Sequence, residues 1–237
     1  MSYRNVTCIV LKSVNYKDAD KIFTLYSKEE GRITATAKGV RKISSKRAGS
    51  LDTLNLVRLS YFEGTNEHKT ITEVKNLSSF RNIKSNKEKM GLAYKIVGLL
   101  LKNVDENSPD EKLFSTLEKA FNLMDDNAVP DSAVLLYFYI NFMNSLGYKL
   151  QLSRCVFCGA KLSKDWLSAW FSIEKGGLVC NKCRGFEDEI GLRGAALLNK
   201  VGVLEENNIE VFRRIKNLDE ILSKINELLD QYLDFKL

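Results

Sequence analysis

Four of the five cysteines form two closely spaced pairs, and this spacing indicates metal binding. Cys155 and Cys158 make the first C-x-x-C motif, Cys180 and Cys183 make the second, and 21 residues separate the two motifs. Each motif bends the chain so that two thiolates reach one ion, and two motifs complete a tetrahedral site of four sulfurs. Because four thiolates leave no position for water or substrate, the pattern predicts one Zn²⁺ ion with a structural role.

Two alternatives for these cysteines are a redox-active C-x-x-C motif and two unrelated thiol pairs. The paired motifs favour zinc, because their separation is only one residue longer than the usual zinc spacing of about 15–20 residues. Disulfides are a poor explanation. The N-terminus lacks a signal-peptide pattern and no apolar run approaches about 18 residues, so we expect a cytoplasmic protein with reduced thiols and no membrane partner. The fifth cysteine, Cys8, is expected to be a buried core thiol.

A basic segment near the N-terminus suggests a polyanionic partner. Between Gly31 and Leu51 there are six basic residues and no acidic one: Arg32, Lys38, Arg41, Lys42, Lys46 and Arg47. Residues 1–89 hold 18 Lys and Arg against 9 Asp and Glu, whereas the remainder holds 18 against 21. We predict that these six residues contact nucleic-acid phosphates, with Tyr16 and Tyr26 offering rings for base stacking. A solvated loop is the alternative reading, and an anionic membrane surface is the second choice of partner.

The sequence has few residues that could perform catalysis. His68 is the only histidine, which argues against Ser-His-Asp and Cys-His hydrolytic sites. Neither a G-x-x-x-x-G-K-[ST] loop nor a G-x-G-x-x-G fingerprint occurs. We therefore expect a protein that is not an enzyme and has no small-molecule substrate. The rival class, a zinc-containing enzyme that modifies nucleic acid, would need an open metal site or a general acid or base.

The N-terminal third has the pattern of a small β-barrel. Five short β-prone segments are separated by turn-rich stretches: Val6–Leu11, Lys21–Ser27, Arg32–Ala37, Asn55–Phe62 and Lys69–Val74. Five strands in about 75 residues suit an OB-type barrel, and an SH3-like barrel fits almost as well. Glu30-Gly31 is a predicted tight turn, with Gly31 supplying a positive φ.

From about Lys87 the apolar period changes to that of helices. Ser108-Pro109-Asp110-Glu111 has the form of a capping box, another helix follows Pro130 and ends at Gly147, and Asn217 is a candidate cap for the last helix. The predicted fold is α+β and multidomain. An OB-fold domain spans 1–80, a helical bundle domain spans 81–150 and 188–237, and a four-cysteine zinc module at 151–187 is inserted in the latter.

Taken together, these features resemble the RecO family of bacterial recombinational repair proteins. The stretch from Cys8 to Lys42 is similar to the family's opening strands, including Asp20 and the segment Ala37-Lys38-Gly39. Gly176-Gly177 precede the third cysteine, as they often do in zinc-bearing members. The order of barrel, helices, zinc insert and further helices also matches, so the resemblance covers essentially the whole chain.

The resemblance implies a non-catalytic DNA-binding role in the RecF pathway. A member would bind single- and double-stranded DNA, anneal complementary strands and help RecA load onto strands coated by single-stranded DNA-binding protein. RecR and the C-terminal tail of the single-stranded DNA-binding protein are the implied protein partners, in the bacterial cytoplasm at the nucleoid. The family's basic surface corresponds here to Arg32, Lys38, Arg41 and Lys42. The alternative is a zinc-stabilised scaffold that binds RNA or DNA without annealing it.

Overall fold

A computed structural model describes residues 2–45, 47–64, 68–127, 129–203 and 219–237. The chain forms two compact units, Met1–Asp125 and Asp126–Leu237. Among the described residues, no helix combines the length and the apolar composition that crossing a membrane requires. The finer division into three predicted domains stays a prediction.

Five strands of the first unit form a closed, mixed sheet. They are β1 (Ser2–Tyr16), β2 (Asp20–Ser27), β3 (Gly31–Ala37), β4 (Leu56–Glu63) and β5 (Lys69–Ser78). Their order around the barrel is β1-β2-β3-β5-β4, and β4 pairs with β1 to complete the ring. All pairs are antiparallel except β3 with β5, where Ala35 and Thr36 run parallel to Lys69 and Thr70. Each predicted strand lies within or overlaps one of these five strands.

Alternating side chains fill the barrel interior. The alternation in β3 places Ile33, Ala35 and Ala37 in the core, and Cys8 is buried there too, as predicted. Burial raises the pKa of the Cys8 thiol, so it stays protonated as a core group. Gly31 has φ +71°, which confirms the predicted turn. A Cβ at Gly31 would also lie 2.2 Å from the Ser108 carbonyl oxygen, so only glycine fits there.

Three helices complete the first unit: α1 (Arg81–Ser85), α2 (Lys87–Asn103) and α3 (Glu111–Asp125). The Asn86 side chain caps α2 by accepting from the N–H groups of Glu88 and Lys89. The capping-box prediction for α3 was wrong in its register, because Asp110, not Ser108, is the cap. The Asp110 carboxylate accepts from the Leu113 N–H at 2.9 Å, and Pro109 therefore precedes the helix.

The second unit is built around one almost fully buried helix. Helix α4 (Asp131–Ser145) follows Pro130 and ends before Gly147, whose φ is +85°. The remaining elements are β6 (Ala169–Ser172), β7 (Gly177–Cys180), β8 (Asp188–Glu189), α5 (Gly191–Val203) and α6 (Asp219–Lys236). Helix α4 packs against α5 and α6 and buries apolar residues on all its faces, as a central helix must. The predicted cap Asn217 lies outside the described residues.

Candidate metal centre and candidate nucleic-acid interface

The four paired cysteines lie together in the second unit. Their Sγ atoms are all within 4.8 Å of one another, and no other group of three or more potential metal ligands occurs among the described residues. Between the two motifs, the Sγ atoms of Cys158 and Cys180 are 3.7 Å apart. Zn–S bonds of about 2.3 Å at tetrahedral angles separate sulfurs by about 3.8 Å, so this donor set fits a four-sulfur metal site.

Backbone hydrogen bonds shape each cysteine motif into a tight loop. In the first, the Cys155 N–H donates to the Ala160 carbonyl at 2.8 Å and the Gly159 N–H donates back to Cys155 at 2.9 Å. Gly159 has φ +72°, which a side chain would strain. In the second, the Cys183 N–H donates to the Cys180 carbonyl at 3.0 Å. Each loop thereby turns its two thiols toward the same point.

The three-stranded sheet β7-β6-β8 brings the two loops together. Cys180 ends β7, and the segment before Cys158 runs beside that strand, where the Val156 N–H donates to the Leu178 carbonyl at 2.9 Å. A Cβ on Gly177 would lie 2.6 Å from both the Gln151 carbonyl oxygen and a Val156 methyl group. The absence of a side chain at Gly177 therefore permits the approach of the two cysteine motifs.

The neighbouring glycine serves a second contact. Gly176 has φ +66°, and a Cβ there would lie 2.6 Å from the Tyr232 hydroxyl on α6. The chain at Gly176-Gly177 thus passes close to α6 on one side and to the first cysteine motif on the other, and neither contact leaves room for a side chain. The sheet β6–β8 itself was absent from the sequence-based prediction, since its strands contain only four, four and two residues.

The electrostatic surroundings favour a thiolate at Cys155. Burial raises the pKa of this thiol, but the backbone N–H groups of Cys158, Cys180 and Phe157 outweigh that effect and lower the pKa to about 7. At Cys183, hydrogen bonding to the Cys158 sulfur together with burial raises the pKa to about 12. A thiolate is the form that coordinates a metal ion, so the lowered pKa of Cys155 favours metal binding.

The described residues of the basic segment form a loop between β3 and β4. Its ends are anchored by Val40 and Leu51, which are buried in the barrel core. The Arg47 guanidinium donates to the carbonyls of Lys38 at 2.7 Å and Ile71 at 2.8 Å. The Asn55 amide donates to the carbonyls of Gly49 and Ser50 near the other end of the loop. These bonds hold the backbone of the loop's described residues against the barrel.

Part of the loop is bonded to the turn that joins β1 and β2. The Arg41 guanidinium donates to the carbonyls of Lys17 at 3.4 Å and Asp18 at 3.1 Å. The Gly39 N–H donates to the Asp20 carboxylate at 2.7 Å. The exposed Tyr16 ring lies at the same turn, with the Lys17 ammonium 5.2 Å from its centroid. The structure therefore brings Tyr16, Arg41 and Lys17 together.

Three lysines on the basic loop and the β1–β2 turn are free of ion pairs. Lys17, Lys38 and Lys42 are exposed, and none pairs with a carboxylate among the described residues. We call these three residues the lysine surface. Lys17 was missed from the sequence, although its position directly after Tyr16 was a signal. Ile43, fully exposed beside Lys42, was missed too, because an isolated apolar residue in a loop carries no pattern.

All three predicted phosphate-binding arginines donate to backbone carbonyls, Arg41 to the β1–β2 turn as described above. Arg47 bonds to carbonyls as described above, and the half-buried Arg32 donates to the Leu101 carbonyl at 3.1 Å near the C-terminal end of α2. Arg32 lies with the helices and not with the loop, since its own carbonyl accepts from the Asn107 N–H. Lys46 lies outside the described residues.

The assignment of Tyr26 to a base-stacking surface needs correction. Its ring is fully buried and lies 6.2 Å from the ring of Phe114 on α3. Its hydroxyl reaches the Asp110 carbonyl at 3.5 Å. Because the ring packs between β2 and α3, it cannot stack on a base, and Tyr26 is a core residue that joins the barrel to its helices.

Known proteins resemble the chain along its whole length. Residues 1–80 match the family model described as Recombination protein O N terminal, and residues 85–237 match Recombination protein O C terminal. A DNA repair protein RecO from Acetivibrio thermocellus is 26% identical over 100% of this chain and 93% of its own length. A DNA repair protein RecO from Dehalococcoides mccartyi is 31% identical over 92% of this chain and 84% of its own.

A third relative, the DNA repair protein RecO of Alkaliphilus metalliredigens, is 25% identical over 94% of this chain and 89% of its own length. The two family models meet near residue 80, where β5 gives way to the first helices. The match therefore spans the barrel, the helices and the four-cysteine site together. On this basis the chain belongs to the RecO family of DNA repair proteins.

Proposed function

We propose that this chain is a non-catalytic mediator of recombinational repair that binds single- and double-stranded DNA and anneals complementary strands. With RecR, it helps RecA load onto DNA that is coated by single-stranded DNA-binding protein. Family membership supports the repair role. The observation that carries DNA binding is the lysine surface. Lys38 and Lys42 lie on the β3–β4 loop and Lys17 lies on the β1–β2 turn, and hydrogen bonds from Arg41 join the two segments. None of the three lysines forms an ion pair with a described residue.

Phosphate contacts are the proposed task of this surface. Lysine ammonium groups neutralise phosphates without reading sequence, which suits a protein that must act on any damaged strand. Arg41 supports the lysines by holding the loop to the β1–β2 turn, and Tyr16 offers an exposed ring there. A cleft of about 490 Å³, lined by Lys21, Lys42 and Asp52 among others, lies beside the lysine surface.

The barrel is proposed to be of the OB type. The strand order β1-β2-β3-β5-β4 supports this assignment over an SH3-like barrel. OB barrels bind oligonucleotides over strands 2 and 3 and with the loop between strands 1 and 2. Lys17 lies in that loop, so the proposed DNA surface and the proposed fold are consistent with each other.

Zinc is the proposed occupant of the four-cysteine site, in a structural role. Soft thiolates in a tetrahedral set select Zn²⁺ over hard cations such as Mg²⁺. Cys155, Cys158, Cys180 and Cys183 would hold the ion and cross-link the two cysteine motifs. RecR and the acidic tail of the single-stranded DNA-binding protein are proposed as protein partners at the nucleoid, without assigned contact residues.

A strand-annealing assay without nucleotide tests the leading proposal. Two complementary oligonucleotides at low salt should anneal faster with the wild-type protein. The variant with Lys17→Gln, Lys38→Gln and Lys42→Gln should lose most of the acceleration because it lacks three phosphate contacts. If the wild-type protein binds the strands but does not accelerate annealing, the chain is a binding scaffold. Equal or tighter binding to RNA of the same length would favour the RNA-binding alternative.

A further inference from the structure

The cleft beside the lysine surface opens where the inward face of the barrel becomes polar. Ser13 on β1 lies directly opposite Phe23 on β2, and Phe23 belongs to the barrel core. One alternation nearer the β1–β2 turn, Asn15 lies opposite Lys21. Paired residues and residues two apart share one face of a sheet, so Ser13, Asn15 and Lys21 continue the face that the core residues occupy. All three line the cleft.

The cleft has an apolar floor and polar walls with hydrogen-bonding groups to spare. Its floor contains side chains of the barrel core: Phe23, Val40 and Leu51. The side chains of Ser13, Asn15 and Lys21 form no hydrogen bond and no ion pair with a described residue. Sites for small organic groups have volumes of about 300–1,000 Å³ and combine an apolar lining with a few polar groups. The cleft, at about 490 Å³, has this construction.

The charge around the cleft is positive after the nearby carboxylates are counted. Asp52 is the acidic residue of the lining, and it forms an ion pair with the Lys84 ammonium at 2.7 Å. Asp18 and Asp20 lie at the adjoining β1–β2 turn. Against these three carboxylates stand five positive side chains of the cleft, the turn and the ion pair: Lys17, Lys21, Arg41, Lys42 and Lys84. A strand that carries phosphates can therefore approach the opening.

We propose that the cleft receives one nucleobase of a single strand whose phosphates lie on the lysine surface. Lys42 belongs to that surface and also lines the cleft, so a phosphate bound to Lys42 brings its base to the opening. A base has flat apolar faces, which cover the floor, and a polar edge, which exchanges hydrogen bonds with Ser13 and Asn15. Turning a base out of its stack costs least in a single strand. The proposal rests on the proposed DNA binding and adds a contact to the base itself.

Two strands of equal charge test the proposal with the wild-type protein. A fluorescein-labelled thymidine oligonucleotide and an abasic strand of the same length present the same phosphates and differ only in their bases. The thymidine strand should bind at least about five-fold more tightly, the value of one hydrogen bond, and the salt dependence should be the same for both strands. Equal affinity for the two strands contradicts the base contact and leaves the proposed function intact. Failure to bind either strand contradicts the proposed function, and the base contact with it.

Two variants assign the base to the cleft. The first, with Ser13→Ala and Asn15→Ala, removes polar groups of the wall without changing the charge. The second, Ala48→Trp, fills the cleft from an exposed position of its lining. Both should lose most of the preference for the thymidine strand and keep the wild-type affinity for the abasic strand. Their affinity for duplex DNA should also be unchanged, because a paired and stacked base is not free to enter the cleft.

The matched control is Asn5→Ala. Asn5 lies at the other end of β1, where its side chain accepts a hydrogen bond from the Ser60 hydroxyl, so this variant should keep the full preference for the thymidine strand. Thermal unfolding of each variant shows that the barrel is folded. A full preference in both cleft variants would overturn the proposal, because the base would then stack elsewhere, such as on the exposed Tyr16 ring.

Discussion

At Gly177, any other residue would place a Cβ atom between the two cysteine motifs, where there is room only for a hydrogen atom. That Cβ atom would lie 2.6 Å from the Gln151 carbonyl oxygen and 2.6 Å from a Val156 methyl group, and both distances are shorter than any normal contact. The first of these atoms belongs to the backbone and cannot rotate away. The cost of a side chain must therefore appear as displacement of one cysteine motif from the other.

We expect Gly177→Ala to lower zinc affinity by about ten-fold, because the added methyl group displaces one cysteine motif from the other and so disturbs the orientation of the metal ligands. The free energy of unfolding of the second unit should fall by about 1–3 kcal/mol because of overpacking. Competition with a chromophoric chelator and urea unfolding measure the two effects. The control is Gly98→Ala in α2, where nothing lies within 4 Å and helix propensity should add about 0.5–1 kcal/mol.

Arg32 and the lysine surface should respond in opposite ways to substitution. Arg32→Ala removes a charged donor from the Leu101 carbonyl near the C-terminal end of α2, which should cost about 1–2 kcal/mol of stability. DNA affinity at a temperature where the variant is folded should stay near the wild-type value. Lys38→Gln should weaken DNA binding and leave thermal unfolding unchanged. If the Arg32→Ala variant were as stable as the wild type but bound DNA weakly, Arg32 would be a DNA-contacting residue after all.

Residue types alone could not assign these individual roles. Tyr26 and Tyr16 are the same amino acid in neighbouring strands, yet one lies in the core and the other is 41% exposed. Arg32 lies in β3 and Lys38 directly follows it, but only Arg32 is reached by α2, which is distant in sequence. The cysteines were different, because their short spacing restricts the backbone so strongly that contact between them could be predicted.

At the scale of elements, the hydrogen bonds of Arg47 and Asn55 make the basic loop part of the barrel. Both side chains donate to backbone carbonyls, so the loop between β3 and β4 is closed by the strands on its two sides. A flexible loop would lose conformational entropy on binding a strand, whereas this loop has lost it on folding. The backbone of this loop would therefore lose little further entropy in the proposed DNA binding, and the remaining cost is the rotamer freedom of the lysine side chains.

The lysine surface offers three phosphate contacts, and the salt dependence of DNA binding measures that number. For single-stranded DNA, a plot of log affinity against log salt concentration should be shallower by about 2 in the Lys17→Gln, Lys38→Gln, Lys42→Gln variant, at about 0.7 per contact. The control carries the same change of charge on the same unit through three exposed lysines elsewhere, Lys75→Gln, Lys87→Gln and Lys102→Gln. A slope equally reduced in the control would mean that total charge, not the lysine surface, determines binding.

Periodicity predicted most elements and failed for the shortest. The five barrel strands and helices α2, α3 and α4 follow from alternation or from apolar stripes with recognisable starts. The strands β6, β7 and β8 are too short to show a period, and their backbone pairing, not their side-chain pattern, defines the sheet. The capping box before α3 was misplaced because Ser108 and Asp110 are both good caps, and only the fold selects between them.

At the scale of the whole molecule, we expect the two units to differ in their response to removal of a metal ion. The first unit holds the barrel and its helices with no metal ligand group among its described residues, whereas the second surrounds the four cysteines. Both tryptophans also lie in the second unit, where they are buried beside the cysteine motifs. Intrinsic tryptophan fluorescence therefore reports on the second unit alone.

Removal of zinc should open the second unit and leave the barrel folded. With a strong chelator, tryptophan emission should shift to longer wavelength as Trp166 and Trp170 become exposed, because structural zinc sites contribute directly to folding. Zn²⁺ should restore the emission, and Mg²⁺ should not. An unchanged emission spectrum after verified loss of zinc would show that packing against α6 suffices to hold the module.

During synthesis, the barrel has to stay open until its fifth strand has left the ribosome. On the side away from β2, strand β3 pairs with β5, which arrives more than thirty residues later in parallel orientation, and Arg32 forms an isolated bridge with Glu106 still further along the chain. Non-local pairings of this kind form late, because the chain must close a long loop first. The Arg47 bond to Ile71 in β5 depends on the same event. We therefore expect the β3–β4 loop of a nascent chain to reach its final position on the barrel only after Ser78 has emerged.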